Sequence, residues 1–408
     1  MKTPYLHSSV QIAVLVLFPF VHDARAADTA YQDDLTSFFD HVDETYPFFD
    51  LKGIRGSWAE TKRNLLDDII SCKSDTDFME LVQRAIAALH DSHIRIRESR
   101  ATFPKPPLRF NPALSFMPVS GDRVAVMWAS QRYSETLPVG TFITKINGED
   151  AHRYLNRTTR EAWTAGYHPS HQRAQLFAYR IPLQSDRNVK HTITYLDGDI
   201  EKPLSLICDS EVRGWPHTYN LPQDLTQSGR STWYTLLPEN AGYLYLRRID
   251  ESIVEGIDTA TKAHPAVRGW VVDLRGNSGG GYGQELIDRI KNLSRPVSVI
   301  IDAGCASAGE TVARDFRRYA DATLYGTRTA GTSSSKHTWK FPSGIASLTL
   351  PTRSRWRVDG EPIEFNGIEP DVIVQPRPED IAAGENTEIK RATAGLLSIK
   401  SMPIRRPN

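Results

Sequence analysis

Apolar residues recur every three or four positions between Tyr31 and Leu89. Phe38, Phe39, Val42 and Tyr46 share one helical face, Leu65, Leu66 and Ile69 a second, and Phe78, Leu81, Val82, Ile86 and Leu89 a third. This spacing predicts three helices, and Ser74 or Asp75 can cap the last of them. That helix ends near His90-Asp91-Ser92-His93, and the alternation of Ile94 and Ile96 predicts a strand. Further on, Leu114–Val119 and Arg123–Trp128 read as a hairpin around Gly121-Asp122. A strand from Gly140 to Ile146 ends in the turn Asn147-Gly148, and Thr159–Ala178 reads as helix with loops. Thr192–Tyr195 and Pro203–Cys208 pair around Asp197-Gly198, and Pro216–Arg230 is a polar, turn-rich connector.

Strand and helix then alternate. Ala241–Leu246 is a strand, Ile253–Ala263 a helix, and Trp270–Asp273 a strand that runs into the glycines of 276–281. Gln284–Leu293 is helical with Leu286, Ile287 and Ile290 on one face. Val297–Ile301 is again a strand, and the helix after Ser307 carries Val312, Phe316 and Tyr319. This succession predicts an α/β architecture with crossover helices. The glycines do not give G-x-G-x-x-G in order, so a Rossmann nucleotide site is not implied.

With 408 residues and 40% hydrophobic content the chain can build two or three packed domains. Its formal charge is zero, which gives no electrostatic case for nucleic acid or an anionic membrane. Cys72, Cys208 and Cys305 are too few and too irregular for a disulfide scaffold or a zinc site, although one Cys72–Cys208 bridge stays open. Residues 1–26 read as a secretory leader: Lys2, an apolar run from Gln11 to Val21, and Ala24-Arg25-Ala26 before cleavage. The run is short for a membrane span. An uncleaved anchor is the competing reading, and the expected location is secreted or periplasmic.

Candidate chemistry sits in the two strand-to-helix turns. Glycines let backbone N–H groups line a cavity, because no Cβ blocks approach and positive φ is available. Ser307 opens a helix in Ser307-Ala308-Gly309-Glu310, where its hydroxyl is presented beside the helix N-terminus. It reads as a nucleophile, with the N–H of Ala308 and that of Gly279 or Gly280 as oxyanion donors. The bland reading is a flexible glycine turn followed by an S-x-x-E capping box with no chemistry.

The order DLRGNSGGG, SAGE and GIEPDV resembles the S41 peptidases, the C-terminal processing and tricorn-core serine proteases, most strongly over about residues 240 to 375. The resemblance implies a crotonase-like ββα core and places the nucleophile on Ser307. Many members use a lysine in a G-x-x-T-x-G-K phrase, but here the phrase is Gly326-Thr327-Arg328-Thr329-Ala330-Gly331-Thr332. The lysine position is Thr332, which argues against a Ser–Lys dyad and leaves Lys336, four residues on, as the rival base. The tricorn-type arrangement matches residue by residue: His93 as base, Ser92 beside it, and Glu364 before Gly367-Ile368-Glu369-Pro370-Asp371. His90 is the local competitor of His93. The resemblance also gives GTFITKINGED two readings, a PDZ-like module that holds a substrate's carboxy terminus or an ordinary β-turn.

The expected organisation is a leader (1–26), a helical region (27–98), a β-rich middle region with the PDZ-like reading open (99–232), a catalytic core (233–376) and a C-terminal tail (377–408). The tail reads as a docking tail or loose terminus. Arg353, Arg355 and Arg357 read as a solvated edge strand or as ligands of a substrate carboxylate. The implied function is hydrolysis of peptide or protein substrates with no metal and no organic cofactor; oligomeric state is not implied. A non-catalytic peptide- or ligand-binding protein on the same fold, and an ester or amide hydrolase with the same nucleophile, are the alternatives.

Overall fold

A computed structural model describes residues 24–101, 108–166, 168–212, 219–352 and 357–398. Most of the expected leader, residues 213–218 with Pro216 of the expected connector Pro216–Arg230, Arg353 and Arg355, and residues 399–408 of the expected tail lie outside them.

The centre is a seven-stranded sheet in the order Thr226–Ser228, Thr232–Leu237, Ala241–Leu246, Trp270–Asp273, Val297–Ile301, Thr323–Gly326 and Val372–Ile373. The first three strands run antiparallel and the rest are parallel from Ala241–Leu246 onward. Parallel strands covered on both faces read as continuous apolar runs, and the two central ones are buried throughout. Alternation along Ala241–Leu246 divides the core. Leu244 and Leu246 face the helices Ile253–Ala263, Gln284–Lys291 and Ala308–Ala320. Tyr243 and Tyr245 face Ile389, Ala392 and Leu396 of the helix Thr387–Ser398. This stretch is therefore no loose terminus. A Cβ on its Gly395 would lie 1.8 Å from Tyr325 Oη.

The middle region forms a second, antiparallel sheet in which Leu114–Val119, Arg123–Ala129, Phe142–Ile146, Lys190–Asp197 and Ile200–Ile207 follow in order. The expected turns are present. Asn147 and Gly148 both take positive φ (50° and 83°), as a two-residue hairpin turn requires. Two helices, Ala151–Thr164 and His171–Arg180, replace the single expected helix with loops.

The N-terminal helices Ala24–Thr45, Arg55–Asp68 and Asp75–Ala87 bury Phe38, Phe39, Trp58, Leu65 and Phe78 together. Ser74 is the cap of the third, accepting the Asp77 N–H. This cluster does not close on itself: Phe341, Leu348 and Leu350 complete it. They belong to the hairpin Lys336–Lys340 and Ala346–Pro351, whose second strand pairs antiparallel with Arg95–Ser99. The boundary expected at residue 98 is thus crossed by strand pairing, and that pairing carries the segment around His93 to the core. Cys72 lies inside this helical cluster, whereas Cys208 follows the middle sheet and donates to Leu183 O. No disulfide joins them and they sit in separate parts of the fold, which removes the bridge left open between them. No helix among the described residues is long and apolar enough to cross a membrane.

Candidate active site

Strand Val297–Ile301 ends in a turn that places Ser307 at φ 54°, ψ −119°, immediately before the helix Ala308–Ala320. Positive φ at a non-glycine residue persists only where the surroundings hold it. Here the Ser307 N–H donates to Glu310 Oε2 (3.1 Å) and to Thr332 Oγ1 (3.2 Å), and the Ala306 N–H to Asn277 O (2.8 Å). Glu310 does reach back as a cap, but it does more. Fully buried, it accepts Thr329 Oγ1 (2.6 Å), Gly331 N–H (2.7 Å), Thr332 N–H (2.8 Å) and Ser333 Oγ (2.9 Å). One carboxylate so pins the loop 329–333 onto the serine turn. Thr332, at the position of the family's lysine, serves this scaffold.

The glycine turn lies against Ser307. A Cβ on Gly279 (φ 84°) would sit 2.7 Å from Ser307 Cβ and 2.9 Å from the Ala308 nitrogen, so only glycine fits. The N–H of Gly279, however, donates to Asn277 Oδ1 (2.9 Å), and buried Asn277 is itself fixed by donating to Leu246 O. Gly280 (φ 145°) is pressed against Ile249, where a Cβ would meet the carbonyl oxygen at 1.8 Å. Ile249 bonds the flanking residues, through Gly279 O and the Gly281 N–H. Among the described residues no acceptor takes the N–H of Gly280 or Ala308. Of the three donors expected from sequence, these two are available and Gly279 is engaged.

His93 is buried, its backbone N–H bound to Asp91 Oδ1 (2.9 Å). Its Nδ1 lies 3.1 Å from Ser334 Oγ, leaving Nε2 as the nitrogen for a reacting proton. Glu364 Oε2 is 4.0 Å from Nδ1, too far for a direct hydrogen bond, and accepts the Ser333 N–H at 2.8 Å. Ser92 is exposed. Its expected place beside the imidazole is taken by Ser334, because the turn fixed by Asp91 buries His93 and turns its predecessor outward. His90 stacks on Trp163 (ring centroids 4.2 Å apart), away from this role.

Sequence reading missed a buried cation. The Lys52 side chain is fully enclosed, with Nζ 3.3 Å from both Asp91 Oδ2 and Glu364 Oε1. It also donates to His90 O (2.8 Å) and Tyr46 Oη (3.0 Å). The only local signal was a lysine in the aromatic run Tyr46-Pro47-Phe48-Phe49-Asp50-Leu51-Lys52. Burial, then the charge of Asp91, pushes the Glu364 carboxyl up to about 8 against the pull of Lys52. Burial pushes the His93 imidazole down to about 4, with Asp91 opposing and Lys336 and Lys52 assisting.

The loop behind the site is also held from the middle region, where the sequence carried no catalytic signature. Ser170 Oγ donates to Ala330 O, and Gln172 Nε2 to Thr329 O (3.1 Å). In front lies a cleft of about 840 Å³ whose wall includes His93, Ser278, Gly280, Gly281, Ser307 and Lys336. Lys336 thus reaches the cleft despite its place four residues past the family's lysine. Desolvation at the cleft holds its ammonium below the ordinary range. Among the described residues no group of three His, Cys, Asp or Glu side chains could hold a metal ion.

Residues 284–374, which contain Ser307, Glu310 and Glu364, match the model of peptidase family S41. A probable CtpA-like serine protease of Staphylococcus haemolyticus is 27% identical over 201 residues, 39% of this chain and 40% of the relative. A carboxy-terminal-processing protease of Bartonella bacilliformis is 28% identical over 186 residues, 36% of this chain and 42% of the relative. The chain matches about two fifths of the length of these relatives. The crystal structure of mature CPAF superimposes with a TM-score of 0.59 over 93% of this chain and 99% of that one, at 12% identity, which shows a shared fold. By its matched segment and these relatives, the chain is similar to the peptidases of family S41 over residues that include Ser307 and Glu364.

Proposed function

We propose that this protein is an exported serine peptidase that cleaves peptide bonds through an acyl-enzyme on Ser307. His93 Nε2 takes the Ser307 proton as Oγ attacks the scissile carbonyl, and then returns it to the leaving amine. The N–H groups of Gly280 and Ala308 hold the oxyanion; losing one such donor costs about 10²–10³ in turnover. Ser334 orients the imidazole at Nδ1, and Glu364 acts on it from behind, through the Ser333 backbone. Water then repeats the sequence in reverse and frees the second product. On this reading the sheet 233–376 is the crotonase-like core, the middle sheet is a PDZ-like module, and residues 1–26 are a cleaved leader directing the chain to the periplasm or beyond.

One observation carries the reading. Ser307 and His93, from distant segments, share one cleft, with two N–H groups unclaimed among the described residues beside the serine. Lys336 on the same wall, with its ammonium lowered, supports a second reading in which it is the base. Fluorophosphonate labelling of the purified protein separates these. Labelling lost in Ser307→Ala and His93→Ala but retained in Lys336→Ala is expected. Loss in Lys336→Ala with retention in His93→Ala would move the base to the lysine. No labelling of the wild type would favour the binding protein, and ester turnover without peptide turnover the general hydrolase.

The titration of His93 gives a further expectation. A base must be neutral, and an imidazole held near 4 stays neutral well below the ordinary histidine value of about 6.5. Activity is therefore present above the lowered pKa and lost as pH falls through it. The acid limb of kcat/KM that belongs to His93 should fall near pH 4. A limb near 6.5 would show that the base is solvated, or that it is another group.

A further inference from the structure

The chain carries no net charge, yet its cleft does. Five cationic side chains, Arg95, Arg97, Arg230, Arg248 and Lys336, line it against two carboxylates, Asp250 and Glu251. The cleft lining therefore carries an excess of three positive charges. The carboxylates are already committed. Glu251 pairs with Arg230, and Asp250 accepts the hydroxyls of Ser231 (2.6 Å) and Ser252 (2.7 Å). Among the described residues, Arg95, Arg97 and Arg248 have no carboxylate partner.

The fold aims two of these arginines. Arg95 and Arg97 lie two positions apart on the strand Arg95–Ser99, while Ile96 between them packs against the helical cluster. A bulge falls at Arg97, between the pairs Ile96–Leu348 and Glu98–Ser347, and both arginines line the cleft. Arg97 is tethered there by Thr349 on the neighbouring strand. Gathering like charges in a concave site is unfavourable until an anion enters, and low-dielectric walls strengthen the attraction when it does. Guanidinium groups present planar forks that match carboxylates.

We propose that this cleft selects peptides bearing aspartate or glutamate side chains next to the bond presented to Ser307. This deepens the peptidase reading and rests on it for the word substrate. The recognition itself can be measured without turnover.

The test uses the full-length Ser307→Ala protein and fluorescent octapeptides blocked at both ends, identical except for Glu or Gln at the four central positions. A third peptide carries Gln and a free terminal carboxylate. The Glu peptide should bind at least about 10-fold more tightly than the blocked Gln peptide at low salt. That preference should shrink as salt rises. Arg95→Gln with Arg248→Gln, checked for an unchanged thermal transition, should bring the ratio below about 2-fold. Equal binding of the Glu and blocked Gln peptides would overturn the proposal. So would a preference for the free terminus alone, which would make the terminal carboxylate the ligand. So too would a Glu preference that survives loss of both arginines. Phosphonate labelling of the wild type, read separately, reports on the peptidase reading, so the two can fail independently.

Discussion

Replacing His93 by alanine should lower kcat for peptide hydrolysis by about 10⁴–10⁶, and adding Ser307→Ala should cost little more. In the proposed mechanism the two side chains act as one unit: without the imidazole the serine stays protonated, and without the serine the imidazole has nothing to deprotonate. Activity that remains comes from the Gly280 and Ala308 N–H groups and from binding. The neighbouring hydroxyls should divide sharply. Ser334 Oγ lies 3.1 Å from the imidazole Nδ1, whereas Ser92 is exposed. Ser334→Ala should therefore lower kcat by about 10-fold or more with KM little changed, as the loss of an orienting hydrogen bond does. Ser92→Ala should stay within about 2-fold of wild type, in the range of surface substitutions. Steady-state kinetics on one peptide checks all four variants. Equal losses at Ser92 and Ser334 would restore the tetrad inferred from sequence. Near-additive losses at His93 and Ser307 would mean that another group removes the serine proton.

The division between Ser92 and Ser334 marks what the sequence could and could not reveal. The parallel strands were legible because burial on both faces leaves continuous apolar runs such as Trp270-Val271-Val272. Hairpins were legible because Asn147-Gly148 satisfies a local backbone demand. Ser307, the glycine turn and Glu364 were legible from their order along the chain. The partner of His93 was not, since Ser334 lies 241 residues away and nothing local in either segment records the contact. Glu310 shows an intermediate case. Its reach to the Ser307 N–H is local and was readable as a cap, while the four donors from 329–333 arrive through tertiary packing. The strand pairing that crosses residue 98 was hidden for the same reason. Helical periodicity identifies a face that must be buried, but not that Phe341, Leu348 and Leu350 bury it.

Lys52→Met is the sharpest test of how the site is built. The methionine fills similar volume, so packing around Phe48 and Tyr46 is largely kept, and what disappears is a charge. Asp91 and Glu364 then face each other in the interior without the ammonium that lies 3.3 Å from each. Removing one partner of a buried ionic cluster typically costs about 3–5 kcal/mol, because the remaining charges stay desolvated. Urea unfolding should show a loss of this size. Its pH dependence identifies the cause. Glu364 is held above its ordinary value in the folded protein even with Lys52 present, and losing the cation raises it further. A carboxyl raised by folding contributes most below its unfolded pKa of about 4.5, and that contribution is lost as pH rises through the folded value. The deficit of Lys52→Met should consequently be larger at pH 8 than at pH 5. Adding Glu364→Gln should recover part of it at pH 8, though not activity, since the carboxylate behind His93 is gone. A deficit equal at both pH values would assign the role of Lys52 to its hydrogen bonds with His90 O and Tyr46 Oη. In that case the lysine would fix the turn that presents His93 rather than balance the carboxylates behind it.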